Sequence, residues 1–390
     1  MTIDGWRGPT RRNDAEVSLT TTPARRRTLD NAERMAFVDG LRGIAALVVA
    51  VGHIIGMVPP DHPATTFVRA AWRERLIWPW LFGGQAVWLF IMLSGFALYW
   101  SEERRVLAGR GATSLRVYAA RRCWRILPTY YVALGLGLIV IAGLGPYLAP
   151  PSASLRTFAP VTPGGLASHL TLIHNLDPSW IHQINPPLWS IAVEAQLYLL
   201  FPALAWAGMR WRPYLPAVVL VAGVTALGMV SPVRPVGLAA WFAVGAVLAH
   251  VARRHTMPRR ALLLAAGAAG AAGWYLGPAA TGQLAQAVWL VAFAALLLAL
   301  SQTPAGRWNG ATWPVSTWLG KVSYSLYAVH FPVALLVWAG VGHLGLSTPA
   351  VVPVMLTCGL TASLAGAWVC YRLVEAPSLA RVRAVARTSQ

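Results

Sequence analysis

Arg42 and His53 share one apolar stretch, FVDGLRGIAALVVAVGH, and stand eleven positions apart. On a helix rising 1.5 Å per residue this is about 16 Å, or three turns, so the two side chains face similar directions. Ionisable groups inside apolar spans are expensive to hold in lipid, which makes each one a functional candidate. The set in this chain is short: Asp39, Arg42, His53, Glu194 and His330. Glu194, in PPLWSIAVEAQLYLLFP, lies about six residues into its stretch, near 9 Å by helix rise. His53 lies about four residues from the end of its own stretch. Two helices of opposite direction then bring a carboxylate and an imidazole to similar depth. A carboxylate beside a histidine fixes its tautomer and raises its basicity, as a general base requires. The competing reading has Arg42 snorkelling beside Asp39, its i−3 neighbour, and His53 and Glu194 joining two helices structurally.

A second cluster lies in RVYAARRCWRILPTYY, where Arg116, Arg121, Arg122 and Arg125 crowd the start of an apolar stretch. Such a cluster is what topology alone would place at a cytosolic helix end. It also matches a phosphate clamp, because guanidinium forks fit phosphate oxygens. A nucleotide held there would need an extended arm to reach His53, and coenzyme A carries one that ends in a thioester. Ser94, in FIMLSGF, and Ser323, Tyr324, Tyr327 and His330, in LGKVSYSLYAVHFPV, are further candidates for the cavity or for stabilising an oxyanion. Helix packing at Ser94-Gly95-Phe96 and a polar interhelical contact at the second group compete with that reading. No serine stands in a nucleophile-elbow context, which argues against an acyl-enzyme. Cys123, Cys358 and Cys370 form no disulfide framework, and no Cys/His spacing matches a zinc site, so no metal is expected.

The elements that must hold these groups are membrane helices. Of 390 residues, 56% are hydrophobic and 12% charged, about half the charge of an ordinary soluble domain. Mean hydropathy is +0.54. The expected fold class is an all-α polytopic bundle of about ten spans, near 37–57, 81–100, 126–149, 188–208, 214–230, 236–251, 261–277, 284–301, 318–339 and 349–371. Residues 1–35 read as a disordered basic tail, 36–377 as the transmembrane domain, and 378–390 as a C-terminal tail. The net charge of +19 is dispersed over alternate loops rather than clustered, which excludes a nucleic-acid surface. With the N-terminus inside, 26 basic residues fall in inside segments and 5 in outside loops. That asymmetry predicts both termini in the cytosol, in the cytoplasmic membrane. The segment from about 150 to 187 has the composition of an interfacial cap. There is no internal repeat of the kind transporters show.

The ordered segments FVDGLRGIAALVVAVGH, FIMLSGF, RRCWRILPTYY, LWSIAVEAQLYLLFP, LGKVSYSLYAVHFPV and VEAP resemble the membrane-bound acyltransferase family 3, over about residues 36–377. That resemblance implies transfer of an acyl group, commonly acetyl, from acyl-CoA to a hydroxyl. It implies His53 as catalytic base, Arg42 as a donor-site residue, Arg122 and Arg125 as donor-binding, and Glu194 as the acidic residue of the Trp-Ser-x-x-x-Glu segment. Many envelope-polysaccharide acetylases of the family continue into a soluble esterase-like domain, whereas this chain ends soon after VEAP. Standalone members include enzymes similar to macrolide 3-O-acyltransferases, so a macrolide hydroxyl is one acceptor the resemblance implies. An envelope polysaccharide or glycolipid is another. The expected partners are therefore acetyl-CoA as co-substrate, a small acceptor with a free hydroxyl, and the bilayer. A homodimer is one assembly the chain could take. A lipid-linked sugar transporter, using the same buried charges as a relay, is the rival from a different class.

Overall fold

The computed structural model describes residues 23–58, 81–144, 158, 161–210, 235–303 and 310–387. Among the described residues there is no strand. In chain order the helices are α1 Pro23–Gly56, α2 Gly83–Leu107, α3 Leu115–Leu144, the short α4 Pro163–Leu170, α5 Leu188–Arg210, α6 Pro235–Arg254, α7 Arg259–Leu276, α8 Gln283–Ser301 and α9 Pro314–Gly342. The final apolar run comprises α10 Thr348–Val354, α11 Leu360–Cys370 and α12 Ala376–Arg387, joined without a break by π turns at Met355–Gly359 and Tyr371–Glu375.

Seven segments are long and apolar enough to cross a membrane: those of α1, α2, α3, α5, α8, α9 and the α10–α12 run. Two more helices, α6 and α7, are of similar length; paired arginines stand at their facing ends and glycine recurs along α7. Nine of the ten expected spans thus coincide with a described helix, and the tenth, 214–230, lies outside the described residues. The helices are longer than the apolar runs that announced them. Helix α1 starts inside the expected tail, α3 begins at Leu115 rather than near 126, and the last run continues to Arg387. Hydropathy marks where lipid contact ends, whereas a helix ends only where its backbone hydrogen bonding is interrupted.

Two backbone crossings set the frame. An added Cβ on Gly43 would come within 2.5 Å of the Gly320 nitrogen, so α1 and α9 touch backbone to backbone. The same holds where Gly95 of α2 meets Phe242 and Gly245 of α6 meets Met92. Small residues allow this approach, and in lipid such packing replaces the hydrophobic drive that water would supply.

Prolines inside the helices shape the rest. Pro332 has no N–H, which leaves the Ala328 carbonyl without its helical donor. Asn185 Nδ2 donates to that oxygen at 2.9 Å. Pro202 frees the Tyr198 carbonyl in the same way, and the Tyr118 hydroxyl donates to it at 2.9 Å. Of the expected cap, about 150–187, residues 158 and 161–187 are described, and they pack against the bundle. Thr162 caps α4 by accepting from the Gly165 N–H at 3.0 Å. Gln196 of α5 pairs with Asn175 through both amides and donates to the Leu172 carbonyl. Leu172 and Ile184 hold positive φ, at 57° and 65°. For a β-branched residue such as Ile184 this is a strained conformation that the surrounding contacts must enforce. Burial of Ile184 beside Gly137, together with the Asn185 bond, supplies them.

Candidate active site

The candidate residues lie in two groups that share helices α1 and α9. One group lines a cavity of about 310 Å³ at the end of the bundle where arginines concentrate, here the basic end. Asp39 and Arg42 of α1, Arg122 and Arg125 of α3, Glu194 and Tyr198 of α5, and Ser323 and Tyr324 of α9 form its polar wall. The other group is the pair His53 and His330, toward the cap end.

In the cavity, Arg42 Nη2 donates to the Ser94 hydroxyl at 3.3 Å, and Ser94 donates to Glu194 Oε1 at 2.5 Å. The Tyr198 hydroxyl donates to the same carboxylate oxygen at 2.6 Å. Glu194 and Tyr198 are four apart and so share a helix face. Arg122 lies over the rings of Tyr118 and Tyr198, with its guanidinium carbon 5.8 and 5.4 Å from their centres. Among the described residues the buried Nε atoms of Arg42 and Arg122 have no hydrogen-bond partner. Both arginines line the polar cavity, and guanidinium groups in such a setting are suited to an anionic ligand.

Arg125 is held differently. Its Nη1 lies 3.1 Å from Glu375 Oε1, and its side chain is 28% exposed against 1% for Glu375. The Ser325 hydroxyl and backbone N–H both donate to the other Glu375 oxygen, at 2.6 and 3.2 Å. Glu375 belongs to the VEAP segment but carried no expected role. Its signal was its burial beside a basic stretch, which sequence alone does not show. Leu379 and Val382 of α12, from the expected tail, also line the cavity. Arg116 is exposed, and neither it nor Arg121 is among the cavity-lining residues.

The expected pairing of Glu194 with His53 is corrected. Glu194 bonds to Ser94 and Tyr198, at the level of Arg42, while His53 Nδ1 lies 2.9 Å from His330 Nε2. The depth estimate took the start of α5 as the membrane edge. Asn185, three residues before α5, instead bonds the carbonyl of Ala328, two residues from His330. Helix α5 therefore begins at the level of the histidine pair, and Glu194 lies about 9 Å below it. Between the two levels the Ser190 and Tyr327 hydroxyls are 2.6 Å apart.

Three expected oxyanion candidates have their hydroxyl hydrogens committed elsewhere. Ser323 donates to the Gly320 carbonyl at 2.8 Å, Tyr324 to the Ile126 carbonyl at 2.9 Å, and Ser94 to Glu194. No group of three or more His, Cys, Asp or Glu side chains is placed to hold a metal ion among the described residues. The cysteines Cys123 and Cys358 are exposed and Cys370 is buried, all as free thiols.

A family described as an acyltransferase domain matches residues 35–372. The acyltransferase MdmB of Streptomyces mycarofaciens is 28% identical over 176 residues, which is 43% of this chain and 38% of that relative. The chain thus covers less than half of that relative's length. No solved structure matches the chain.

Proposed function

We propose, from the premise that the chain belongs to this acyltransferase-domain family, that it is a multi-pass membrane O-acyltransferase moving an acyl group, acetyl by preference, from acyl-CoA to an alcohol. The observation that supports this reading is an arginine-lined cavity and a histidine pair that share two helices, α1 and α9. Arg42 and Arg122 bind the donor's phosphates at the basic end. Arg125, neutralised by Glu375, shapes the cavity wall. Glu194, through Ser94, orients Arg42. Arg116 and Arg121 add a basic approach outside the cavity.

The arm of the donor then spans the distance from Arg42 to His53, about 16 Å by helix rise. His53 takes the proton of the acceptor hydroxyl as its oxygen attacks the thioester carbonyl. The carbon–sulfur bond breaks, and the leaving thiolate recovers the proton from His53. Holding donor and acceptor in one bundle supplies the proximity such a transfer needs. The acceptor proposed is a hydroxyl of a glycosylated secondary metabolite such as a macrolide, with an envelope glycan as the alternative. The basic end is cytosolic, where acyl-CoA is found, and both termini lie on that side of the cytoplasmic membrane.

Release of free thiol from acetyl-CoA by the purified protein, with a panel of macrolide and glycan acceptors, tests this. Acceptor-dependent release that falls by about 10²–10⁴-fold in His53→Ala, in a protein that still inserts and melts normally, is the expected result. Full activity of that variant would remove His53 from the chemistry. Absence of both release and acyl-CoA binding would favour the transporter reading.

A further inference from the structure

We infer that His330 is a positioning residue for His53, fixing the tautomer that leaves the lone pair of His53 on Nε2. The inference rests on the acyl-transfer reading for its consequence, but its geometry stands independently. His330 is fully buried. Its Nδ1 lies 2.9 Å from the Leu326 carbonyl oxygen, four residues earlier on α9. A carbonyl only accepts, so Nδ1 of His330 carries the hydrogen. In a neutral ring the other nitrogen, Nε2, is then an acceptor. The atom 2.9 Å from it is His53 Nδ1, which must donate. His53 therefore holds its proton on Nδ1, and its lone pair lies on Nε2, the nitrogen not bonded to His330. The opposite assignment needs a doubly protonated His330. A fully buried imidazolium whose two bonds go to a carbonyl and a neutral imidazole is disfavoured by desolvation.

The surroundings hold both rings in this arrangement. The His53 and His330 rings are 5.2 Å apart at an interplanar angle of 18°. Phe331 stands edge-on to His53 at 5.8 Å, and Tyr327 packs against His330 at 6.0 Å. Tyr327 is itself tied to α5 through Ser190. The Leu326 carbonyl ends the chain of bonds, because it cannot pass a proton on. His330 accordingly orients the base and is not a relay, and the proton taken by His53 returns to the leaving thiolate from Nε2. This is the role usually filled by a carboxylate beside a catalytic histidine, here filled by a neutral ring locked onto a helix carbonyl.

The test uses the full-length protein in lipid nanodiscs, labelled with ¹⁵N-histidine, with the His53 signal assigned by its loss in His53→Asn. Wild type is expected to show a protonated Nδ1 and an unprotonated Nε2 at His53. His330→Leu, which removes the acceptor, is expected to shift the proton toward Nε2 and lower kcat about 10²-fold, with donor KM unchanged. His330→Gln, whose amide oxygen can still accept, is expected to restore the tautomer and most of kcat. A protonated Nε2 in active wild type would overturn the inference alone. So would equal loss of kcat in both variants with the tautomer unchanged, which would reduce His330 to packing. A wild type with the expected tautomer but no thiol release toward any acceptor would instead overturn acyl transfer and leave the tautomer assignment standing.

Discussion

At the scale of single residues, the polar groups of the cavity are poorly explained by stability. A charged side chain at the centre of a bilayer costs about 2.5–3.5 kcal/mol on insertion scales. An interhelical hydrogen bond returns about 0.6 kcal/mol on average. The Arg42–Ser94–Glu194 chain lies nearer the basic end, where that cost is smaller, and it holds one guanidinium nitrogen; an anionic ligand would use the remaining donors. Arg122 gives the most direct test, because its guanidinium lies over two tyrosine rings while its Nε lacks a partner among the described residues. Arg122→Lys keeps the charge but loses the planar fork and the stacking. Donor KM should rise about tenfold, equivalent to roughly 1.4 kcal/mol, with kcat little changed. Initial rates against acyl-CoA at saturating acceptor would show it, and an unchanged donor KM would remove Arg122 from the donor site. The residue types of the cavity were legible in the sequence, since few ionisable groups stand in apolar runs. Their partners were not, because Glu194 pairs according to where α5 starts relative to α9, and Asn185 decides that through a carbonyl freed by Pro332.

At the scale of elements, the segments that hydropathy describes worst are the ones that complete the site. Helix α12 follows a π turn, a feature often found at functional positions, and that turn ends on Glu375. If the Glu375–Arg125 pair fixes α12 against α3, breaking it from one side should be worse than removing both charges. Glu375→Gln or Arg125→Gln alone should lower stability by about 3 kcal/mol, the lower end for leaving one member of a buried pair behind. The double variant should lose markedly less, and additive losses in denaturation of the solubilised protein would refute the coupling. The cap carries a different dependence. His169 and His174 are buried and stacked, with ring centres 3.7 Å apart. Burial first, and then the neighbouring His169, push His174 down from 6.5 to about 3. The unfolded chain thus binds a proton between those values that the folded cap refuses. Stability from this group is complete above about pH 6.5 and declines as pH falls toward 3. The melting temperature should drop from pH 7.5 to 4.5, with a shallower slope in His174→Gln. Parallel slopes would show that His174 does not contribute. Composition gave these residues as a cap, but not their contacts with the helices, since nothing in the local sequence reveals that Asn185 bonds a carbonyl in the middle of α9.

At the scale of the whole molecule, the proposed mechanism divides two tasks along the axis of the bundle. The arginine cavity lies at the basic end and the proposed base lies toward the cap, so an acyl group arriving with its carrier at one end would be transferred well inside the bundle. That division is useful only if the basic end faces the compartment that holds acyl-CoA. The distribution of 26 basic residues against 5 predicts that orientation, because topology depends on loop charge rather than on packing. Packing shows that the seven segments long and apolar enough to span do not exhaust the bundle. Helix α6 meets α2 at Gly95 and Gly245, and there Glu103 of α2 binds His250 and Arg253 of α6 at 2.6 and 3.1 Å. A helix anchored in this way can carry terminal arginines and still belong to the core. The orientation can be read from Cys123, an exposed thiol of α3 beside Arg122. In a background of Cys358→Ser and Cys370→Ser, a membrane-impermeant maleimide should modify Cys123 in inside-out vesicles and leave it untouched in intact spheroplasts. The opposite pattern would place the arginine cavity outside, beyond the reach of a cytosolic thioester, and the donor assignment would fall with it.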